Sequence, residues 1–379
     1  MDYKKLALIL HEKNKGKLAI VSKVPINNKD DLSIAYTPGV AEPCLRISKN
    51  KQDVYKYTIK GNTVAVVTDG SAVLGLGNIG PEAALPVMEG KAVLFKRFAG
   101  LDAFPICLKT QDTEEIISIV KAIEPVFGGI NLEDISSPRC FEIEERLKSL
   151  LSIPVMHDDQ HGTAIVVLAG LINACKVAKK DIKKIKIIIC GAGAAGTAVA
   201  KLLLKYKIQD VIMVDSQGII SRNRKDLNKT KLELSKITNK KNIQGSLEDA
   251  VKQRDVFIGV SSKNLLSTAM VKTMNKPIIF AMANPDPEIL PEDAKKGNAI
   301  IIATGRSDYP NQINNVLAFP GIFKGALSSG KKQITDEMKI KAAEALASLI
   351  INPSPEKIIP APFDQGVADA VAKAVASCK

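Results

Sequence analysis

The run IKIIICGAGAAGTAVAKLLLKY (185–206) leaves few options for the chain around it. A short apolar segment enters a glycine turn and continues as a helical pattern. Gly191, Ala192, Gly193, Ala194, Ala195 and Gly196 fit G-x-G-x-x-G. The first glycine permits a tight turn, the second lets backbone approach a pyrophosphate, and the third lets helix pack on strand. The helix N-terminus adds free N–H groups and partial positive charge for phosphates. VIMVD (211–215) reads as the next strand, and Asp215 closes it 19 residues after Gly196. An acid there accepts hydrogen bonds from an adenine ribose. Strand, turn, helix and terminal acid in register predict a dinucleotide site. Asp215 repels a 2′-phosphate, so NAD is favoured over NADP, although Arg222 and Arg224 follow in a loop able to pair with such a phosphate.

The rest of the chain agrees with an α/β class. DVFIGVS (255–261), PIIFAMAN (277–284) and AIIIATG (299–305) are further strand candidates separated by helical stretches, the pattern of a doubly wound parallel sheet. Upstream, TVAVVTDG (63–70) precedes a glycine-rich loop, SAVLGLGNIG, and a helix with Pro81 at its first position. AFPICLKT reads as a strand, and DTEEIISIVKAIEPVF as a helix capped by Asp112. FGGINLEDI and IPVMHDD read as strands ending in acids, and a helix is expected from residue 162. A length of 379 residues suits two domains, placed at 1–160 and 161–379, the second carrying the Rossmann-like sheet and a helical tail.

Composition removes several classes. No apolar run reaches the ~18 residues of a spanning helix, and the five apolar residues near the N-terminus are too few for a signal peptide. Six cysteines lack CxxC spacing, which fits reduced thiols in a cytoplasm. A net charge of +13 suggests a polyanion, but the lysines are spread along the chain and there is no Trp, so no base-stacking platform exists. A nucleic-acid partner is therefore not expected.

Glu133–Asp134 and Asp158–Asp159 each follow an apolar strand, so all four carboxylates can gather at one sheet edge. Such a group repels itself unless a divalent cation is present, and oxygen ligands favour Mg²⁺ or Mn²⁺ over zinc. His157 and His161 bracket the second pair and invite a zinc reading, but no Cys or His cluster completes it. The loop SAVLGLGNIG lacks the Lys-Ser/Thr of a Walker loop and reads as a tight turn bringing backbone near substrate.

Tyr36-Thr37-Pro38-Gly39-Val40-Ala41, VTDGSAVLGLGNIG, Glu89-Gly90-Lys91, NLEDI, HDDQHGTA, GAGAAG, ANPDPE and SDYPNQINNVLAFPGIF occur in this order. The succession resembles the malic enzymes of short prokaryotic type, over about residues 15 to 379. The resemblance implies oxidative decarboxylation of (S)-malate to pyruvate and CO₂ with NAD or NADP and Mg²⁺ or Mn²⁺. It implies that Tyr36 is the general acid and Lys91 the general base. Glu133, Asp134 and Asp159 match the metal ligands, and Asp158 the supporting acid counted with the catalytic group. Asn284, Asn314 and Asn315 match positions at the substrate or nicotinamide, with the roles of the adjacent pair unseparated. A homodimer is implied, and Tyr36 lies in a segment able to cross to the partner's site.

One departure stands out. Larger members carry an arginine after TDG that binds a malate carboxylate, whereas Ser71 and Ala72 stand here. Lysine serves as a base only if its pKa falls from ~10.4, so neighbours or burial are expected to depress that of Lys91. Malolactic-type decarboxylation to lactate, with NADH retained, is the alternative. Plain malate dehydrogenation is disfavoured by a phenol poised to protonate an enolate. A basic dinucleotide-sensing or polyanion-binding protein would have no need of the full set of acid, base and ligands.

Overall fold

The computed structural model describes residues 2–379 except Leu74, so that part of the SAVLGLGNIG loop lies outside the described residues. The chain opens with α1 (Tyr3–Asn14), α2 (Lys29–Ala35), α3 (Ala41–Lys49) and α4 (Val54–Tyr57). Then β1 (Thr63–Thr68), α5 (Pro81–Ala99), β2 (Asp102–Cys107), α6 (Thr113–Ile123), β3 (Gly129–Leu132), α7 (Arg139–Leu150), β4 (Val155–His157) and α8 (Asp158–Val177) alternate. The second half runs β5 (Lys186–Cys190), α9 (Ala194–Lys205), β6 (Asp210–Asp215), β7 (Gly218–Ile219), α10 (Lys229–Ile237) and α11 (Leu247–Val251). It continues β8 (Val256–Gly259), α12 (Thr268–Lys272), β9 (Ile278–Ala281), α13 (Pro291–Lys296), β10 (Ile301–Thr304), α14 (Phe319–Ser328), α15 (Asp336–Ser348) and α16 (Val367–Ser377).

Two sheets result. The first has order β2-β1-β3-β4 and is parallel throughout; the second has order β10-β9-β8-β5-β6-β7, with only β7 antiparallel. Strand alternation explains how both faces are filled. Val64 and Val66 of β1 enter one core while Ala65 and Val67 enter another; Ile187 and Ile189 of β5 part company with Ile188 in the same way. The largest core runs continuously from β1 and α5 through α8 to the second sheet and α14. Phe95 of α5 stacks edge-on against Phe319 and Phe323, with ring centroids 4.8 and 5.5 Å away. That aromatic contact fastens the first sheet's helix to the C-terminal helices.

One expected feature differs. The helix predicted from 162 begins four residues earlier, at Asp158. Asp158 and Asp159 therefore occupy a first turn, where unpaired N–H groups and the helix dipole favour carboxylates. Residues 2–59 contain no buried residue, although Leu8, Ile20, Val21 and Ile34 are among their apolar side chains. Among the described residues no helix is long and apolar enough to cross a membrane.

Phe95→Ala is expected to cost about 3–5 kcal/mol of stability, the usual range for emptying a buried phenylalanine site. Urea denaturation followed by circular dichroism measures it; a loss below ~1 kcal/mol would mean that this contact does not join the two sheets.

Candidate active site

Both sheets present the carboxyl ends of their strands to one cleft of about 900 Å³. Asp134 follows β3 and Asp159 follows β4; Ala194 and Ala195 follow β5, Val260 follows β8, Asn284 follows β9 and Gly305 follows β10, and all line this space. A crevice outside the strand ends of a parallel sheet is where such folds bind ligands.

Backbone geometry explains the glycine turn. Gly191 has φ +118°, and a Cβ there would stand 2.6 Å from the Val260 carbonyl oxygen. A Cβ on Gly196 would overlap the Gly191 carbonyl, while one on Gly193 would meet nothing within 4 Å. The three glycines thus serve turn, ligand approach and helix packing respectively, as the fingerprint requires.

Asp215 is not free to receive a ribose alone. Arg224 Nη1 donates to its Oδ1 at 2.7 Å and Lys231 Nζ to its Oδ2 at 2.6 Å, with the Gln217 N–H at 2.9 Å. Burial pushes this carboxyl up, but the two cations outweigh burial and hold it below its ordinary range. Arg224 also pairs with Asp226, and Arg222 turns away to the Lys240 carbonyl. The loop arginines are therefore engaged rather than waiting for a phosphate.

The acids converge through strand register. Leu132 pairs with His157, which brings the following residues, Glu133 and Asp158, side by side. Ligand oxygens of Glu133, Asp134 and Asp159 all lie within 4.8 Å of one another. Asp134 takes φ +53°, a left-handed conformation that aspartate tolerates better than most residues, and its N–H donates to Asp159 Oδ2 at 2.9 Å. Hard oxygen donors gathered at this spacing fit Mg²⁺ or Mn²⁺. Among the described residues no histidine or cysteine joins the group. His157 is buried with Nε2 3.8 Å from Asp159, and His161 bonds Glu144 instead, so neither supplies a zinc set.

Lys91 lies on the buried face of α5 with Ala84, Met88, Ala92 and Phe95. Its Nζ sits 2.7 Å from Asp158 Oδ2, 2.9 Å from Glu133 Oε1 and 4.4 Å above the Phe319 ring. Burial favours the neutral amine, but Asp158, Glu133 and Asp159 outweigh it and hold Lys91 above its ordinary range. The depressed pKa expected from the sequence is thus reversed within the chain alone. Burial pushes Asp158 up to about 6 against the pull of Lys91. Burial likewise raises Glu133, whose Oε2 accepts from Asn131 Nδ2 at 2.9 Å.

Asn284, Asn314 and Asn315 all line the cleft. The adjacent pair now separates: Asn314 Oδ1 accepts from the Val316 N–H at 2.9 Å, a backbone cap, while Asn315 stands against Gly162 beside Asp158. Tyr36 does not line this cleft; it ends α2 and is 65% exposed. Just after the TDG segment, Ala72 lines the cleft and donates its N–H to the Asp134 carbonyl at 2.9 Å. Behind it, Arg139 Nη2 bonds buried Asp69 at 2.9 Å and Ser71 Oγ at 3.0 Å. Lys263 is the one cationic side chain lining the cleft among the described residues. Sequence reasoning missed Asn131, Arg139 and Glu144. Asn131 alone had a local signal, a polar residue inside an apolar strand and two positions before Glu133, hence on the same face.

Fold and site together define a dinucleotide-binding α/β protein whose Rossmann-type sheet faces an acidic, lysine-bearing centre. The family models for the malic enzyme N-terminal domain and the malic enzyme NAD-binding domain match residues 15–148 and 160–378. The bifunctional malic/malolactic enzyme of Bacillus subtilis is 59% identical over 99% of this chain and 93% of its own. The NADP-dependent malic enzyme of Escherichia coli is 45% identical over 98% of this chain and 52% of its own. The crystal structure of the NAD-dependent malic enzyme of Thermotoga maritima superposes with a TM-score of 0.95 at 51% identity, covering 98% of this chain and 99% of that one. The chain belongs to the malic enzyme family.

A Cβ on Gly162 would overlap the Asp158 carboxylate. Helix propensity alone predicts that Gly162→Ala stabilises α8 by up to ~1 kcal/mol. The clash reverses the sign, and a loss of about 1–3 kcal/mol is expected from the urea midpoint. A gain would mean that the Asp158 side chain is not held where it stands.

Proposed function

We propose that this chain oxidatively decarboxylates (S)-malate to pyruvate and CO₂, reducing NAD or NADP, with Mg²⁺ or Mn²⁺. The observation that carries the reading is the meeting, in one cleft, of the glycine turn of the second sheet with Asp134 and Asp159 of the first, and the pairing of Lys91 with the adjoining Glu133 and Asp158. Residues 1–160 and 161–379 serve as the catalytic and dinucleotide domains.

Glu133, Asp134 and Asp159 would hold the cation, which when bound supplies Lewis-acid polarisation of substrate oxygens. With the charge of those carboxylates offset, burial would favour the neutral amine of Lys91. Lys91 then removes the C2 hydroxyl proton as general base, and Asp158 fixes its Nζ at 2.7 Å. After oxidation at C2 and loss of CO₂, C3 must be protonated, the role assigned to Tyr36. Asn284 and Asn315 orient substrate and nicotinamide, with Asn314 shaping the turn beside them. NAD is the favoured dinucleotide because Asp215 closes β6, where an acid would accept from the adenine ribose. The charges of Arg224 and Lys231 offset that acid, so NADP is expected to be used as well.

Exposure supports the proposed assembly. Apolar side chains without cover over residues 2–59, and a Tyr36 outside the cleft of its own chain, support a homodimer in which this arm crosses to the partner's site. A cytoplasmic setting fits the six cysteines, all unpaired.

The deciding assay follows absorbance at 340 nm with malate, Mn²⁺ and either dinucleotide, then measures pyruvate and lactate. Equal amounts of reduced dinucleotide and pyruvate, abolished by chelator, are expected. Lactate without reduced dinucleotide would favour the malolactic activity that the Bacillus subtilis relative carries in its name. Reduced dinucleotide with oxaloacetate and no pyruvate would remove decarboxylation from the reading. Sharing of sites is tested separately by co-expressing Tyr36→Phe and Lys91→Ala chains. Random pairing makes half the dimers mixed, each with one intact site, so about a quarter of wild-type activity is expected. No recovery would place Tyr36 with its own chain's Lys91.

A further inference from the structure

Glu144, on α7, belongs to none of the roles assigned above, yet it is 5% exposed and carries three hydrogen-bonded partners. Its Oε1 accepts from the backbone N–H of His157 at 3.0 Å and lies 2.6 Å from Lys148 Nζ. Its Oε2 lies 2.9 Å from His161 Nε2. His157 ends β4 and His161 sits one turn into α8, so the two contacts straddle Asp158 and Asp159. One carboxylate therefore grips the strand-to-helix turn on both sides of the acid pair. The His161 imidazole is thereby engaged away from the acids, while at His157 it is the backbone N–H that Glu144 holds.

We propose that Glu144 is a positioning residue for the cation site, holding Asp159 against Asp134 and Glu133 through His157 and His161. The inference rests on the divalent-cation reading above. Its physical basis is the cost of the arrangement. A carboxylate removed from water costs several kcal/mol unless its partners are well placed, and apolar residues of similar size often serve stability as well. The neighbours of Glu144 on the buried face of α7, Ile143 and Leu147, belong to an apolar core. A charged group among them does little that a leucine could not do for packing. What it adds is direction: hydrogen bonds to an ionised acceptor are short, strong and angle-dependent. Two such bonds on opposite sides of the turn limit how far the first turn of α8 can rotate. Rotation there would carry Asp159 Oδ2 away from the Asp134 N–H that it accepts at 2.9 Å. Partners of this kind, one layer behind the ligands, typically change metal affinity by about 10–100-fold when removed.

Mn²⁺ binding tests this by electron paramagnetic resonance of the free ion, with NADH binding measured by fluorescence on the same samples. Glu144→Gln keeps size and removes charge. It is expected to weaken Mn²⁺ by about 10-fold or more while leaving NADH affinity within about 2-fold. His161→Gln, which retains a donor, should bind Mn²⁺ much better than His161→Ala. Wild-type Mn²⁺ affinity in Glu144→Gln, or equal affinities in the two His161 variants, would overturn the positioning role. Parallel loss of Mn²⁺ and NADH binding would also overturn it, by showing a general structural role. Absence of Mn²⁺ binding in the wild-type chain would overturn the cation reading itself, and this inference with it.

Discussion

The ammonium of Lys91, buried between Asp158 and Glu133, is the interaction on which the arrangement depends. Charges withdrawn from water are tolerated only when each meets an opposite partner at close range. Three elements that are distant in sequence must therefore keep their places together: α5 carrying Lys91, the end of β3 carrying Glu133, and the start of α8 carrying Asp158. Parallel pairing of β1 with β3 and of β3 with β4 sets the last two side by side. Phe95, one helical turn beyond Lys91, sets the first by packing on Phe319 and Phe323. The apolar core and the charged centre thus constrain one another. A shift of α5 would disturb the aromatic contact and the ion pairs at once.

The same centre explains an apparent conflict between chemistry and electrostatics. The general base proposed for Lys91 must be able to exist neutral, yet the carboxylates hold this amine charged. Burial pulls in the opposite direction, and the balance turns on how much negative charge faces the amine. On the proposed reading a divalent cation at the acidic cluster would supply that adjustment: the charge that stabilises the ammonium is also the charge a cation would offset. At the second sheet the logic is similar on a smaller scale. Asp215 occupies the position that usually discriminates against a 2′-phosphate, but Arg224 and Lys231 already balance its charge. Discrimination by charge alone is weakened where the acid is paired.

Local chemistry made much of this legible in the sequence. The GAGAAG turn, the acids at the ends of β3 and β4, the Asp112 cap and Pro81 at the head of α5 all depend on neighbours within a few residues. What could not be read depends on distance through space. Glu144 lies 13 and 17 residues from the two histidines that it bonds, and nothing in an i, i+4 pattern points to them. The ion pairs of Asp215 come from a loop and from α10, so the sequence shows three charged residues but not their pairing. Sequence places the start of α8 four residues late because two acids after an apolar strand resemble a strand end. Only the fold shows them as a first helical turn. Exposure of the N-terminal arm was equally hidden, since its apolar residues read as core until their surroundings are known. Tyr36 and Lys91 were singled out by resemblance alone. Among 53 basic residues and six tyrosines, no local pattern marks them.

The central claim is that folding gathers Glu133, Asp134 and Asp159 into one oxygen-donor site for a divalent cation beside Lys91. Anomalous diffraction from crystals soaked in Mn²⁺ tests it directly. The account predicts a single strong peak within coordination distance of all three carboxylates. A peak elsewhere, or none at this cluster while Mn²⁺ is bound in solution, would contradict it.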